Sequence, residues 1–271
     1  MSFLHLHTDT ATPAPTDICL VIQGDRLLAW PDAAEAVRFP AIEALAAWPH
    51  VTSTLIHVGI MDGRALWLAR VDTADTAPPD GWQWHETRAL LAIFQPDQWQ
   101  AVSCARELLW WERRHQFCGA CGTPTVQVGE ERARRCPQCA AVFFPVVSSA
   151  VIVAVTRGDE LLLAHNRNFR PGMFSLLAGF VDPGETLEQA AVREVQEEVG
   201  IRIDDLRYVT SQPWAFPNSL MLGFRASYAG GDIVVDGKEI EQAGWFRRDA
   251  LPEIPRPGTV ARLIIDRWLH E

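Results

Sequence analysis

Three glutamates, Glu194, Glu197 and Glu198, stand at i, i+3 and i+4 in the stretch REVQEEVG. On a helix this spacing puts their Cβ atoms within ~5–6 Å of one another on one side. Exposed like charges so placed cost a few tenths of a kcal/mol per pair, and in a cleft they raise a pKa unless a cation arrives. An arbitrary helix with this trio is most simply a solvated acidic face. Here Arg193 adjoins the trio and Glu185 precedes it behind a DPG turn. Acid and base interleaved around a crowded trio form the pattern of a divalent-cation site with an organising arginine.

A second group is sulfur. Cys118 and Cys121 in CGAC and Cys136 and Cys139 in CPQC make two C-x-x-C knuckles. Two knuckles so spaced fold back as a ribbon and present four thiolates tetrahedrally to zinc. Gly119, Gly122 and Pro137 permit the tight turns. A site closed by four thiolates leaves no position for substrate, so its role is structural. Disulfides are the competing reading, disfavoured in the cytoplasm. Glu130, Glu131, Arg132, Arg134 and Arg135 are mixed in sign, which speaks against a nucleic-acid surface. Cys19 and Cys104 read as core residues.

The elements that must carry these groups follow from periodicity. Thr186 with Gln189 forms a capping box, and Gly200 is placed as a C-terminal glycine, so Leu187–Val199 should be a helix. Strands are expected at 150–156, 160–165, 206–211, 220–228 and 244–247, and a last helix at 259–270. Upstream, 17–22 and 51–60 alternate like strands and 64–71 follows an MDG turn. Residues 33–47 and 96–115 look helical, and 73–80 is a loop. The tryptophan-rich first part carries no evident chemistry, its aromatics reading as core.

The chain has 271 residues, 48% hydrophobic and 21% charged, a globular composition long enough for two or three domains. We divide it into a mixed α/β domain at 1–114, the ribbon at 115–145 and a mixed sheet between helices at 146–271. The net charge of −10 disfavours bulk nucleic-acid binding. No apolar run reaches the ~18 residues of a membrane helix and no leader is evident, so a cytoplasmic location is expected.

Gly179, Glu185 and the run Arg193-Glu194-Val195-x-Glu197-Glu198-x-Gly200-Ile201 match the fixed positions of the Nudix box, over 23 residues. Downstream, Ser211, Gln212, Pro213, Trp214, Ala215, Phe216, Pro217, Asn218 and Ser219 resemble the SQPWPFPxS array of NADH pyrophosphatases, with Ala215 in place of a proline. With the ribbon, the chain resembles the NADH pyrophosphatase (NAD-capped RNA hydrolase) family of the Nudix hydrolase superfamily. The likeness is strong from the ribbon onward and only positional before it.

The resemblance implies an α/β/α Nudix sandwich and hydrolysis of the pyrophosphate of NAD(H) to AMP and nicotinamide mononucleotide, using Mg2+ or Mn2+. It implies metal ligands at Glu194, Glu198 and Glu239 and at the carbonyl of Ala178. Glu197 is either a ligand or the group that deprotonates water, and Arg193 pairs with Glu185. Substrate contacts are implied at Phe180, Phe144 (where the family commonly has tyrosine), 212–219, Glu131, Ala261 and Arg88. Members are homodimers whose sites use both chains, and some remove NAD caps from RNA. The alternatives are a Nudix hydrolase for other dinucleotides or nucleotide sugars, and a zinc-ribbon nucleic-acid module with an inactive Nudix domain.

Overall fold

The strand β11, Ser148–Arg157, shows how the C-terminal part is built. Side chains of a strand alternate between faces. Val151, Val153 and Val155 enter one core, while Ile152 and Ala154 enter another. A strand buried on both faces needs a layer on each side. The helix α2, Leu187–Val199, supplies one with Ala190, Ala191, Val195 and Val199. The helix α3, Val260–Leu269, supplies the other with Ile264, Ile265 and Trp268.

This computed structural model describes all residues except 1, 7–10, 32–36, 47, 49, 50, 52–54, 73–76 and 130. Its contacts define two compact units, Met1–Val146 with Ala215–Asn218, and Val147–Trp214 with Ser219–Glu271. Among the described residues, no helix is long and apolar enough to cross a membrane.

In the second unit β12 is Glu160–Asn166, β13 Leu177–Phe180, β14 Arg202–Trp214, β15 Ser219–Gly230 and β16 Ile240–Arg247. The sheet order is β14-β15-β11-β12-β16, with β13 also on β11. Only the β11–β15 pairing is parallel, so the sheet is mixed, and the expected α/β/α sandwich is what forms. The helix α2 starts and stops where its capping signals place it. Gln189 N–H donates to Thr186 Oγ1 at 3.2 Å, Thr186 N–H donates to Gln189 Oε1 at 2.9 Å, and Gly200 has φ 74°. The strands β14, β15 and β16 run longer than expected. In β14 the polar residues Asp204, Asp205 and Arg207 sit at a bulge and mask the alternation.

In the first unit β1 is Phe3–His5, β2 Ile18–Gln23, β3 Arg26–Pro31, β4 Val37–Arg38, β5 Ile56–Met61, β6 Arg64–Arg70 and β7 Gln83–Glu86. They form one sheet, β1-β5-β6-β2-β3-β4, with β7 on β3. The strand β2 does not alternate as expected: all six of its residues are buried, as in a strand covered on both faces, and β6 and β3 flank it in the sheet. The helix α1, Pro96–Arg114, stands as expected, with a Gln95–Gln98 capping box.

The helix expected over 33–47 does not form in its described part. That part holds β4 and one short 3-10 turn, Ile42–Leu45. Pro40 explains this, since it disfavours helical backbone at the residue before it. The rest of that segment, residues 52–54 of the expected strand, residues 73–76 of the expected loop, and Glu130 lie outside the described residues. The tryptophans do serve as core, Trp48 stacking on Trp84 at 6.1 Å, although Trp30 is half exposed.

Candidate active site

The three glutamates of α2 occupy three environments. Glu198 is only 6% exposed, where a solvated acidic face would leave it open to water. It lies beside Val195 and Val199, on the edge of the helix that faces the core. Its Oε2 has no hydrogen-bond partner among the described residues. Burial, then the charges of Glu194, Glu239 and Asp236, push its pKa up to about 8, and a backbone hydrogen bond from Ala178 opposes them. Glu194 is partly buried, and burial raises its pKa while Arg193 pulls the other way. Glu197 is exposed and ion-pairs with Arg193 at 3.1 Å.

Arg193 is the hub. Its Nε and Nη2 donate to the two oxygens of Glu185 at 2.6 and 2.8 Å, a fork-to-fork pair. Nη1 reaches Glu194 at 2.8 Å, and Nη2 also donates to the Phe180 carbonyl at 2.9 Å. The Arg193 hydrogen bonds hold the Glu185 carboxyl far down, at about 2, helped by the Asp182 N–H. Ala178, Gly179 and Phe180 lie in β13, and Phe180 at its end is 58% exposed.

Glu239 is exposed, on a turn that Asp236 organises by accepting from the N–H groups of Glu239 and Ile240. Asp236 N–H donates to the Glu198 carbonyl at 3.1 Å, which fastens that turn to the end of α2. Sequence reasoning missed Asp236. The D-G-K-E turn, with Gly237 at φ 64°, is the signal that was there to find it. Among the described residues, the potential metal ligands drawn together within 4.8 Å are the four cysteines, and the carboxylates of Glu194, Glu198 and Glu239 are not in that group. Even so, a buried carboxylate oxygen with no donor, beside two more carboxylates, is a set that a hard divalent cation satisfies.

The 212–219 segment is half strand and half turn. Gln212, Pro213 and Trp214 end β14, Ser219 opens β15 opposite Trp214, and only Ala215–Asn218 turns. The Gln212 side chain accepts from Val260 N–H and donates to the Gly258 carbonyl, both at 2.8 Å, so it braces the start of α3. Ala261 is buried on that helix. Within the first unit, the Asn218 side chain donates to the Val146 carbonyl at 2.9 Å, and Pro217 is exposed. Arg88 lies over the Phe216 ring at 4.4 Å. Glu131 and Phe144 are exposed, Phe144 at 55%.

The four cysteines bring their sulfurs within 4.8 Å of one another. The two knuckles repeat one geometry. Gly122 N–H donates to the Cys118 carbonyl at 2.8 Å, and Ala140 N–H to the Cys136 carbonyl at 3.0 Å. Cys118 N–H donates to the Thr123 carbonyl and Cys136 N–H to the Ala141 carbonyl, each at 2.8 Å. The left-handed position belongs to Gly122 (φ 73°) and Ala140 (φ 60°); Gly119 does not adopt it. The short strands β8 Val126–Gln127, β9 Arg134–Arg135 and β10 Val142–Phe143 complete the ribbon. Cys19 is fully buried in β2, while Cys104 is partly buried with Arg132 Nη1 at 3.3 Å.

Comparison with known proteins agrees with this geometry. Residues 146–267 match the NUDIX domain, and residues 113–144 the NADH pyrophosphatase zinc ribbon domain. Residues 16–111 match the NADH pyrophosphatase-like rudimentary NUDIX domain. The chain is 44% identical over 212 residues to the NAD-capped RNA hydrolase NudC of Stutzerimonas stutzeri, covering 78% of this chain and 76% of that one. It is 46% identical over 208 residues to the protein of the same name from Chromobacterium violaceum, covering 77% and 78%. A NUDIX hydrolase structure from Nitrosomonas europaea shares the fold, with a TM-score of 0.50 and 24% identity over 58% of this chain and 91% of that one. With the box on α2, a four-cysteine zinc ribbon and this degree of identity, the chain belongs to the NudC family of Nudix hydrolases.

Proposed function

We propose that this protein hydrolyses the pyrophosphate bond of NAD(H), giving AMP and nicotinamide mononucleotide, and that it removes NAD caps from RNA 5′ ends. The observation that carries the reading is the buried carboxylate of Glu198, whose Oε2 has no hydrogen-bond partner among the described residues, beside Glu194, in a chain 44% and 46% identical to proteins named NAD-capped RNA hydrolase.

Glu194, Glu198 and Glu239, with the Ala178 carbonyl, would hold the catalytic cation. Bound Mg2+ or Mn2+ supplies Lewis acidity that offsets the substrate's negative charge and lowers the pKa of water. Arg193, locked by Glu185, holds Glu194 and Glu197 in place from one side. Glu197, the exposed member, is the remaining ligand or the group that takes the proton from water. Water adds in line to one phosphorus, and the other phosphate leaves. Phe180 and Phe144 offer exposed ring faces for the planar ends of the dinucleotide. The 212–219 hairpin faces the nicotinamide end, with Glu131, Ala261 and Arg88 as further contacts.

The four cysteines hold structural zinc, and the functional divisions are 1–114, 115–145 and 146–271. The active form is a homodimer in the cytoplasm, where thiols remain reduced for zinc. The test is product analysis with NADH, NAD+, ADP-ribose and NAD-capped RNA in Mg2+ or Mn2+. AMP and nicotinamide mononucleotide from NADH, at a kcat/KM above that for ADP-ribose, are expected. Preference for ADP-ribose would overturn the substrate assignment in favour of a broader dinucleotide hydrolase.

A further inference from the structure

The first unit contains a cleft of about 720 Å3 whose walls include Arg88, Arg106, Trp110, Arg113 and Phe216. Arg106 differs from the other arginines there, because its side chain is only 9% exposed. A buried guanidinium is costly unless its donors are met. Here they point to four acceptors. Nε donates to the Ala215 carbonyl at 3.1 Å, and Nη1 to Thr87 Oγ1 at 3.3 Å and the Gly24 carbonyl at 3.4 Å. Nη2 ion-pairs with Asp25 at 2.7 Å. The guanidinium also lies over the Phe216 ring at 4.7 Å, and Trp99 stacks on the same ring at 5.9 Å.

Phe216 is therefore gripped by protein groups and acts as an anchor. Ala215, wholly buried, is held through its carbonyl. A short turn between two strands keeps conformational freedom that a bound ligand must otherwise remove, and pre-ordering it lowers that cost. A lysine in place of Arg106 could not reach these acceptors at once, since an ammonium lacks the planar fork.

We infer that Arg106 is a positioning residue for the reaction: it holds Ala215–Asn218 in the conformation that meets the nicotinamide end of the substrate. This rests on the function proposed above. The side chain touches no reacting atom and acts through the turn, with Asp25 fixing its orientation.

The experiment compares Arg106→Lys, Arg106→Met and Asp25→Asn with wild type. NADH and ADP-ribose kinetics are measured beside hydrogen–deuterium exchange of the peptide spanning 212–219. For the Arg106 variants, kcat/KM for NADH is expected to fall about 10- to 100-fold, mainly through KM. ADP-ribose, which lacks the nicotinamide, should change less than about threefold on the same reasoning. Exchange at 215, 216 and 218 should accelerate. Asp25→Asn alters an exposed side chain, so it serves if the Arg106 variants fold poorly, and it should shift NADH KM in the same direction by less.

Equal losses on both substrates, or unchanged NADH KM, would overturn the inference. If wild type fails to cleave NADH, the proposed function falls first. The KM comparison then moves to the dinucleotide it does cleave, and faster exchange without any KM change would overturn the positioning role.

Discussion

A Cβ built on Gly179 would lie 2.0 Å from the carboxyl carbon of Glu194 and 2.2 Å from both of its oxygens. The backbone of Gly179 is not left-handed, so the glycine is there for space and not for conformation. At Gly179, β13 passes so close to α2 that a side chain there would occupy the place of the carboxylate. Gly179→Ala should therefore displace Glu194, lowering kcat about 10- to 100-fold, with little loss of stability, because the atoms that must move are the far end of a flexible side chain. Kinetics and a denaturant melt check both, and a wild-type kcat would separate Glu194 from the chemistry.

Glu198→Gln is expected to abolish turnover, to below about a tenth of wild-type kcat, a loss exceeding ~1.4 kcal/mol. The substitution keeps the shape of a side chain only 6% exposed, so it opens no cavity. Mg2+ or Mn2+ should raise the Tm of wild type by binding the folded state, and should do so far less for the variant. Equal metal-induced shifts in the two proteins would remove Glu198 from the ligand set.

Parts of this were legible because they are written locally. The helix α2 was readable to its ends because Thr186, Gln189 and Gly200 encode its caps. The two-faced core was readable because 150–156 is apolar at every position between Ala150 and Val155. The unequal exposure of Glu197 and Glu198 was not legible, since it depends on what packs against the helix. Nor was the bracing of α3 by Gln212, whose partners lie 46 and 48 residues away. The strand β7 escaped notice for a similar reason, as its partner β3 lies more than 50 residues away in the chain.

The ribbon's two knuckles differ at one position that geometry makes unequal. Ala140 holds φ 60° where its counterpart is Gly122 at φ 73°. A non-glycine residue there is strained by roughly 1–2 kcal/mol, partly offset by glycine's larger unfolded-state entropy. Ala140→Gly should then stabilise the zinc-loaded protein by up to about 1 kcal/mol, and Gly122→Ala should destabilise it by a similar amount. Thermal melts of the two variants should move in opposite directions.

Purified protein should carry one zinc per chain on Cys118, Cys121, Cys136 and Cys139. Because zinc binding is linked to folding, stripping it should cost a few kcal/mol, on the order of 10 °C in Tm. Elemental analysis with thiol titration decides this. Absence of zinc with four free thiols would refute the assignment.

Glu107 on α1 supplies a pH test that is independent of the metals. Burial raises its pKa from 4.5 to about 7, and its Oε1 has no hydrogen-bond partner among the described residues. Below pH 4.5 the side chain is protonated both folded and unfolded, and no penalty applies. As pH rises from there toward 7, the unfolded chain releases the proton first while the folded chain keeps it. The folded state binds more protons in that window, so stability falls with rising pH and levels off above it. Glu107→Gln should remove this slope. The variant should equal wild type near pH 4.5 and exceed it at pH 8 by about 1–2 kcal/mol, a figure reduced for the group's partial exposure. Denaturant melts of wild type and variant across that range, with zinc bound throughout, give the difference directly. A difference that stays constant with pH would mean that Glu107 meets solvent more freely than its surroundings on α1 imply.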